Sequence, residues 1–168
     1  MKMPSRLLRM RVLLPLLAVL VSIVPLWAQA QVAAPGLPEA DKQAIASYNL
    51  NEDVFNRLVA ATKEARAQGI KPQQPPANAQ VHNLDDLANQ AVGSDPRIAP
   101  LIKKHGFTPR EFLLANIALM NAALVVQSRS QPEMAQYIDQ SKVNKANVSF
   151  YEAHQSQIAA LQSSGGGQ

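Results

Sequence analysis

The chain has 168 residues, no cysteine, and 16 Lys and Arg against 12 Asp and Glu, a formal charge of +4. Four of those cations (Lys2, Arg6, Arg9 and Arg11) precede the apolar stretch Val12 to Leu26, leaving the rest of the chain balanced at twelve against twelve. Without a basic stripe there is no footprint for nucleic acid or anionic lipid, and without cysteine there is no disulfide, lipoprotein anchor, covalent haem or thiolate metal site.

The N-terminal thirty residues read as an export signal. The basic start, the short apolar stretch and the small-x-small triplet Ala28-Gln29-Ala30 predict cleavage after Ala30. The mature protein then begins at Gln31 and works in the periplasm or outside the cell. Its 138 remaining residues suit one domain with one core. No second run of about 20 apolar residues follows, so no membrane anchor is expected after cleavage.

Residues 31–50 read as a flexible leader and lead-in, with a short helical turn or an extended stretch over 41–48. Asn51 is an N-cap, followed by Glu52 and Asp53 at the positive end of the helix dipole. Val54, Leu58, Ala61, Thr62 and Ala65 form a buried stripe, which Phe55 and Val59 widen. Gly69 and Pro72 stop that helix. Residues 71–82 form a Pro-rich surface loop, a spacer or a docking strip.

Asn83 caps a short helix carrying Leu84, Leu87, Ala91 and Val92 and closed by Gly93. Ser94 or Asp95 caps the next, with Pro96 at its start and Gly106 at its end. Pro100 falls near the first required intrahelical N–H, so a tight first turn or a kink is expected. Thr108 and Glu111 form a capping box, Pro109 sits at N1, and Phe107 with Phe112 makes a hydrophobic staple. The helix that follows, about 109–128, is apolar on nearly every side and should be central. Its apolar run is about fifteen residues with two asparagines, too short for a membrane span.

Pro132 breaks the chain before a short helix at Glu133 to Asp139. Asn144 caps the last helix, with Val143 and Val148 as a second staple. Val148, Tyr151, His154, Ile158 and Leu161 line one face of that helix. Residues 163–168 read as a disordered Gly/Ser tail. No run alternates with period two. The expected fold is therefore all-α: an irregular bundle of about five helices, spanning 51–162, around the central apolar one.

Catalytic patterns are missing from the sequence. It contains neither GxSxG nor HExxH, and His82, His105 and His154 have no metal-ligand spacing. Asp85 and Asp86 are adjacent on a helix, so their side chains diverge. The candidate ligand-binding residues are Asn116, Asn121, Tyr151 and His154, the two asparagines because they interrupt an apolar helix. Those asparagines point about 140° apart, so each is expected to bond a neighbouring helix or loop carbonyl. His154 with Met120 or Met134 is a conceivable b-type haem pair in a bundle. No metal, cofactor or catalytic residue is assigned.

Three segments carry a resemblance: Tyr48-Asn49-Leu50-Asn51, Gly106-Phe107-Thr108-Pro109-Arg110-Glu111-Phe112, and Asn147-Val148-Ser149-Phe150-Tyr151-Glu152-Ala153-His154. They resemble a group of small exported helical proteins of Gram-negative bacteria with no assigned function. Pro100 departs from the helix-friendly residue such proteins use there. The resemblance implies an all-α exported domain and supplies no catalytic residue. The expected function is a non-enzymatic interaction or ligand-binding module for a protein partner or a small apolar ligand. The alternatives are a small-ligand or haem carrier using the His154 face, and a small hydrolase or lyase. An exposed apolar patch of several hundred Å² would favour partner binding.

Overall fold

Polar caps and left-handed glycines set the helix boundaries. A computed structural model describes residues 36–71, 81–139 and 142–163. The segment read as an export signal and cleavage site, most of the Pro-rich loop and nearly all of the expected Gly/Ser tail lie outside the described residues. Every regular element described is helical, as the period predicts. In chain order they are α1 (Glu39–Ser47), α2 (Glu52–Ala67), α3 (Leu84–Gly93), α4 (Ile98–Lys104), α5 (Pro109–Ser128), α6 (Pro132–Ala135), α7 (Lys145–Ala153) and α8 (Gln155–Ser163).

Asparagine and threonine side chains cap four of these helices. Asn51 accepts from the Val54 N–H, Asn83 from Asp86, Thr108 from Glu111 and Asn144 from Asn147. Gly69 (φ 66°) and Gly106 (φ 77°) close α2 and α4 in the left-handed conformation. In both cases the next N–H returns to the carbonyl five residues back, Ile70 to Ala65 and Phe107 to Ile102, each at 2.9 Å. This double closure satisfies carbonyls that a helix end otherwise leaves free.

The central position of α5 is confirmed, and the reason for its all-round apolarity is visible. It packs against α1, α2, α3, α4, α6 and α7. Ala115 and Ala118 join a core with Leu58, Leu101 and Ile102. Ala122 and Val125 join one with Phe55, Val148, Tyr151 and Ile158. Leu113 and Ile117 join Leu84 and Ala88. Each fully buried Leu or Ile contributes about 1.5–3 kcal/mol, so one helix shared by three clusters dominates the packing. The 20-residue α5 is long and apolar enough to cross a membrane by length and composition. Its six helical neighbours account for the apolarity as core packing.

Several boundaries differ from expectation. The lead-in is not wholly flexible: α1 occupies 39–47, and Leu37, Asp41 and Leu50 around it are buried. It is held by Ala44 and Ile45 against Leu84, Leu113 and Ile117 and by the buried Asp41, whose polar partners hydrophobic periodicity does not register. The last helix is two, α7 and α8, divided at His154. There the His154 N–H is shared between the Phe150 and Tyr151 carbonyls (3.2 and 3.1 Å), the tightening found at helix ends. A one-residue break barely disturbs the apolar spacing, so the pattern runs through it. The helix after Pro132 is a single turn.

Pro100 causes no irregular strain. The Ile98 N–H bonds Asp95 O first, α4 starts at Ile98, and Pro100 is the third helical residue, where an N–H is free in any helix. The Thr108 capping box is half formed. Thr108 Oγ1 accepts from the Glu111 N–H at 3.1 Å, but the Glu111 carboxylate turns away to Arg57 at 2.8 Å. The Phe107–Phe112 staple is present, with ring centroids 5.7 Å apart, edge to face.

Candidate functional site

The four side chains singled out in the sequence do not converge. Asn116 Nδ2 donates 2.7 Å to the Phe112 carbonyl of its own helix, not to a neighbouring element as expected. Asn121 Oδ1 is buried and has no hydrogen-bond partner among the described residues, again contrary to that expectation. Tyr151 is buried beside Phe55 and Val148, and that burial pushes its hydroxyl pKa up. Among the described residues, no hydrogen bond joins any two of the four.

His154 is committed to structure at every edge. Its Nδ1 lies 2.8 Å from the Phe150 carbonyl and its Nε2 3.0 Å from Glu52 Oε1. The ring stacks on Phe150 at 4.1 Å and meets Phe55 edge-on at 4.8 Å. Axial ligation of a haem iron there would require Nε2 to leave Glu52. The other histidines are likewise paired, His105 with Glu64 at 2.8 Å and His82 with Asp86 at 3.4 Å. No group of three or more metal-competent side chains occurs among the described residues.

The residues that organise the molecule are others. Asn147, 3 % exposed, accepts from the Leu50 N–H at 2.8 Å and donates to the Tyr48 carbonyl at 2.7 Å. Asn144 Nδ2 adds bonds to the Tyr48 carbonyl (3.3 Å) and Asn49 Oδ1 (2.9 Å). Two of the three segments behind the resemblance therefore clamp each other. The third is knit by Arg57, whose guanidinium reaches Gly106 O (3.0 Å), Glu111 (2.8 Å) and Asp53 (2.9 Å) and lies 4.4 Å above the Phe107 ring. Asn147 was detectable: 147, 151, 154 and 158 are spaced four, three and four, which puts a polar side chain on the buried stripe.

Two buried carboxylates serve as ties. The Leu84 N–H and then the Arg110 guanidinium hold the Asp41 carboxyl below its ordinary range. Asp95 is held at a pKa of about 2, first by the Arg97 side chain and then by the Arg97 N–H. Glu64 is lowered by Lys104 and then His105.

Two surface clefts lie elsewhere. One, of about 330 Å³, sits between the C-terminal half of α5 and α7. Val125, Val143 and Val148 form its inner wall, and Arg129, Lys145, Ser149 and Glu152 are exposed at its rim. Arg129 pairs with Glu152 there. The other, of about 350 Å³, lies where α2 meets α4. Its Glu64, Lys104 and Arg97 are already engaged in ion pairs. None of Asn116, Asn121, Tyr151 and His154 lines either cleft. Among the described residues, Tyr137 is the large hydrophobic side chain that stands exposed, at 81 %, so no broad apolar patch is present there.

No protein-family model matches the chain, and no curated protein or solved structure shows significant similarity to it.

Proposed function

We propose that this chain is an exported, non-enzymatic binding module, and that the α5/α7 cleft takes a small apolar ligand with an anionic end. The observation that carries this reading is the cleft's composition. Its valine wall would hold an apolar body, and Lys145, which forms no ion pair among the described residues, stands at its mouth. A volume of about 330 Å³ lies at the lower end of the range for small-molecule pockets. Support for binding rather than catalysis is the use of His105, His154, Asp41 and Asp95 as structural ties. Support for export is the basic, apolar, small-x-small N-terminus and the resemblance to exported helical proteins.

The test is native mass spectrometry of the protein purified from the periplasm of an exporting host. The expected result is a chain starting at Gln31 that carries a retained small molecule. The variant Ser149→Trp, at an exposed rim position, should fill the cleft and lose that mass. A clean apo mass for the wild type, or retention unchanged in Ser149→Trp, would overturn the cleft assignment. A chain retained in the cytoplasm with its first thirty residues intact would overturn export.

A further inference from the structure

The balanced total charge conceals an uneven distribution. Residues 63–71 and 95–104 carry six cations, Lys63, Arg66, Lys71, Arg97, Lys103 and Lys104, against two carboxylates, Glu64 and Asp95. The rest of the chain from Gln31 onward carries six cations against ten carboxylates. All six clustered cations are exposed, whereas Glu64 is half-buried and Asp95 buried. Helix dipoles account for Arg66, Lys103 and Lys104, which stand in the last turns of α2 and α4. They do not account for Lys63 within α2, Lys71 beyond its end, or Arg97 at the start of α4, where a cation is disfavoured.

The two segments lie side by side. The Lys104 ammonium meets both oxygens of Glu64 at 2.8 and 2.9 Å, and Arg97 Nη1 donates to the Gln68 carbonyl at 2.8 Å. Asp95 is engaged by the Arg97 guanidinium at 2.6 Å. Both carboxylates are thus neutralised in place, while Lys63, Lys71 and Lys103 form no ion pair among the described residues. Between the segments lies the cleft of about 350 Å³, with Pro96, Pro100 and Leu101 in its wall. We propose that this basic face binds an extended acidic segment of a partner protein. An aliphatic side chain of that segment rests against Pro96, Pro100 and Leu101, and carboxylates on either side of it meet Lys63, Lys71 and Lys103. Charge complementarity makes the partner anionic. The apolar wall makes it a peptide, because a lipid headgroup layer or a polyphosphate brings charge with no aliphatic group beside it. The cleft stands open, so no element has to move, and its edges are already held by ion pairs, which lowers the ordering cost of binding. This face is separate from the α5/α7 cleft, and the inference does not depend on that cleft binding anything.

The probe is a fluorescent octapeptide of glutamates with one central leucine, added to the protein purified from an exporting host. A second octapeptide carries serine in place of that leucine. The wild type should bind the leucine probe, and binding should weaken steeply with added salt. Charge reversal at Lys63→Glu with Lys103→Glu, both exposed positions, should weaken it roughly tenfold or more. The same change of charge at Lys42→Glu with Lys142→Glu, outside this face, should weaken it less than threefold. The serine probe should bind more weakly than the leucine probe. Should the reversal not fold, Lys63→Gln with Lys103→Gln should give the same ordering. Absence of probe binding, equal loss in the two reversal variants, or equal binding of the two probes would overturn the proposal. So would tight binding to phosphatidylglycerol vesicles that the leucine probe does not displace, which would assign the face to a membrane surface.

Discussion

Replacing Asn147 by Ala tests the clamp that joins α7 to the chain ahead of α2. Asn147 supplies one acceptor and one donor to backbone that has little other recourse. The Leu50 N–H, buried, loses its acceptor, and an unsatisfied buried donor costs about 1–3 kcal/mol. The Tyr48 carbonyl loses a 2.7 Å bond but keeps Asn144 Nδ2 at 3.3 Å, so its share is smaller, about 0.5–1.5 kcal/mol. The expected total is about 2–4 kcal/mol, a melting shift on the order of 10 °C for a domain of this size. Urea unfolding with an unchanged slope is the assay, because it separates a stability change from a change in the unfolded chain. Asn147→Asp keeps the acceptor for Leu50 and turns an oxygen toward the Tyr48 carbonyl, so it should not restore stability. A loss below about 0.5 kcal/mol in Asn147→Ala, the scale of an ordinary surface substitution, would refute the clamp.

The sequence pairs Glu111 with Thr108, but the structure pairs it with Arg57. A double-mutant cycle should therefore show Glu111→Gln coupled to Arg57→Ala by about 0.5–1 kcal/mol and additive with Thr108→Ala, and the reverse result would restore the capping box. Arg57→Lys should fail to rescue, since one ammonium cannot reach Gly106 O, Glu111 and Asp53 together. Asp95, held at about 2 against an ordinary 3.8, contributes stability that is complete above pH 3.8 and is lost as pH falls through about 2. Asp95→Asn should thus flatten that part of the acid unfolding curve, and an unchanged curve between those values would exclude the tie. At Gly69 and Gly106, an added Cβ meets open space or ordinary contact, so Ala at either costs only the left-handed backbone strain, about 1–2 kcal/mol. Asn at either position should cost less than Ala in thermal melts, and equal costs would argue against strain as the cause.

Local chemistry made much of this protein legible. The caps at Asn51, Asn83, Thr108 and Asn144, the stops at Gly69 and Gly106, and the Phe107–Phe112 staple each act within a few residues, and each is where the residue types put it. The candidate site was not legible in the same way. Asn116 satisfies itself on its own helix, and His154 spends both ring nitrogens on a carbonyl and on Glu52. The cleft between α5 and α7 is lined by residues from two separate helices, which neither helix announces alone.

What the sequence by itself determined is the helical class, the capped helix starts and glycine stops, and the centrality of α5. Periodicity and capping are properties of neighbouring residues, and a helix apolar on every side must be surrounded. What only the tertiary structure decided is the set of long-range polar partners. Asp41 meets Arg110 and Leu84, Arg57 meets Gly106 and Glu111, and Asn147 meets Tyr48 and Leu50 across 97 to 99 residues of chain. A polar side chain advertises that it needs a partner, because burial without one is costly, but it does not say which. That choice is made when the helices pack, and it gave a lead-in expected as a short helical turn or an extended stretch its place as α1.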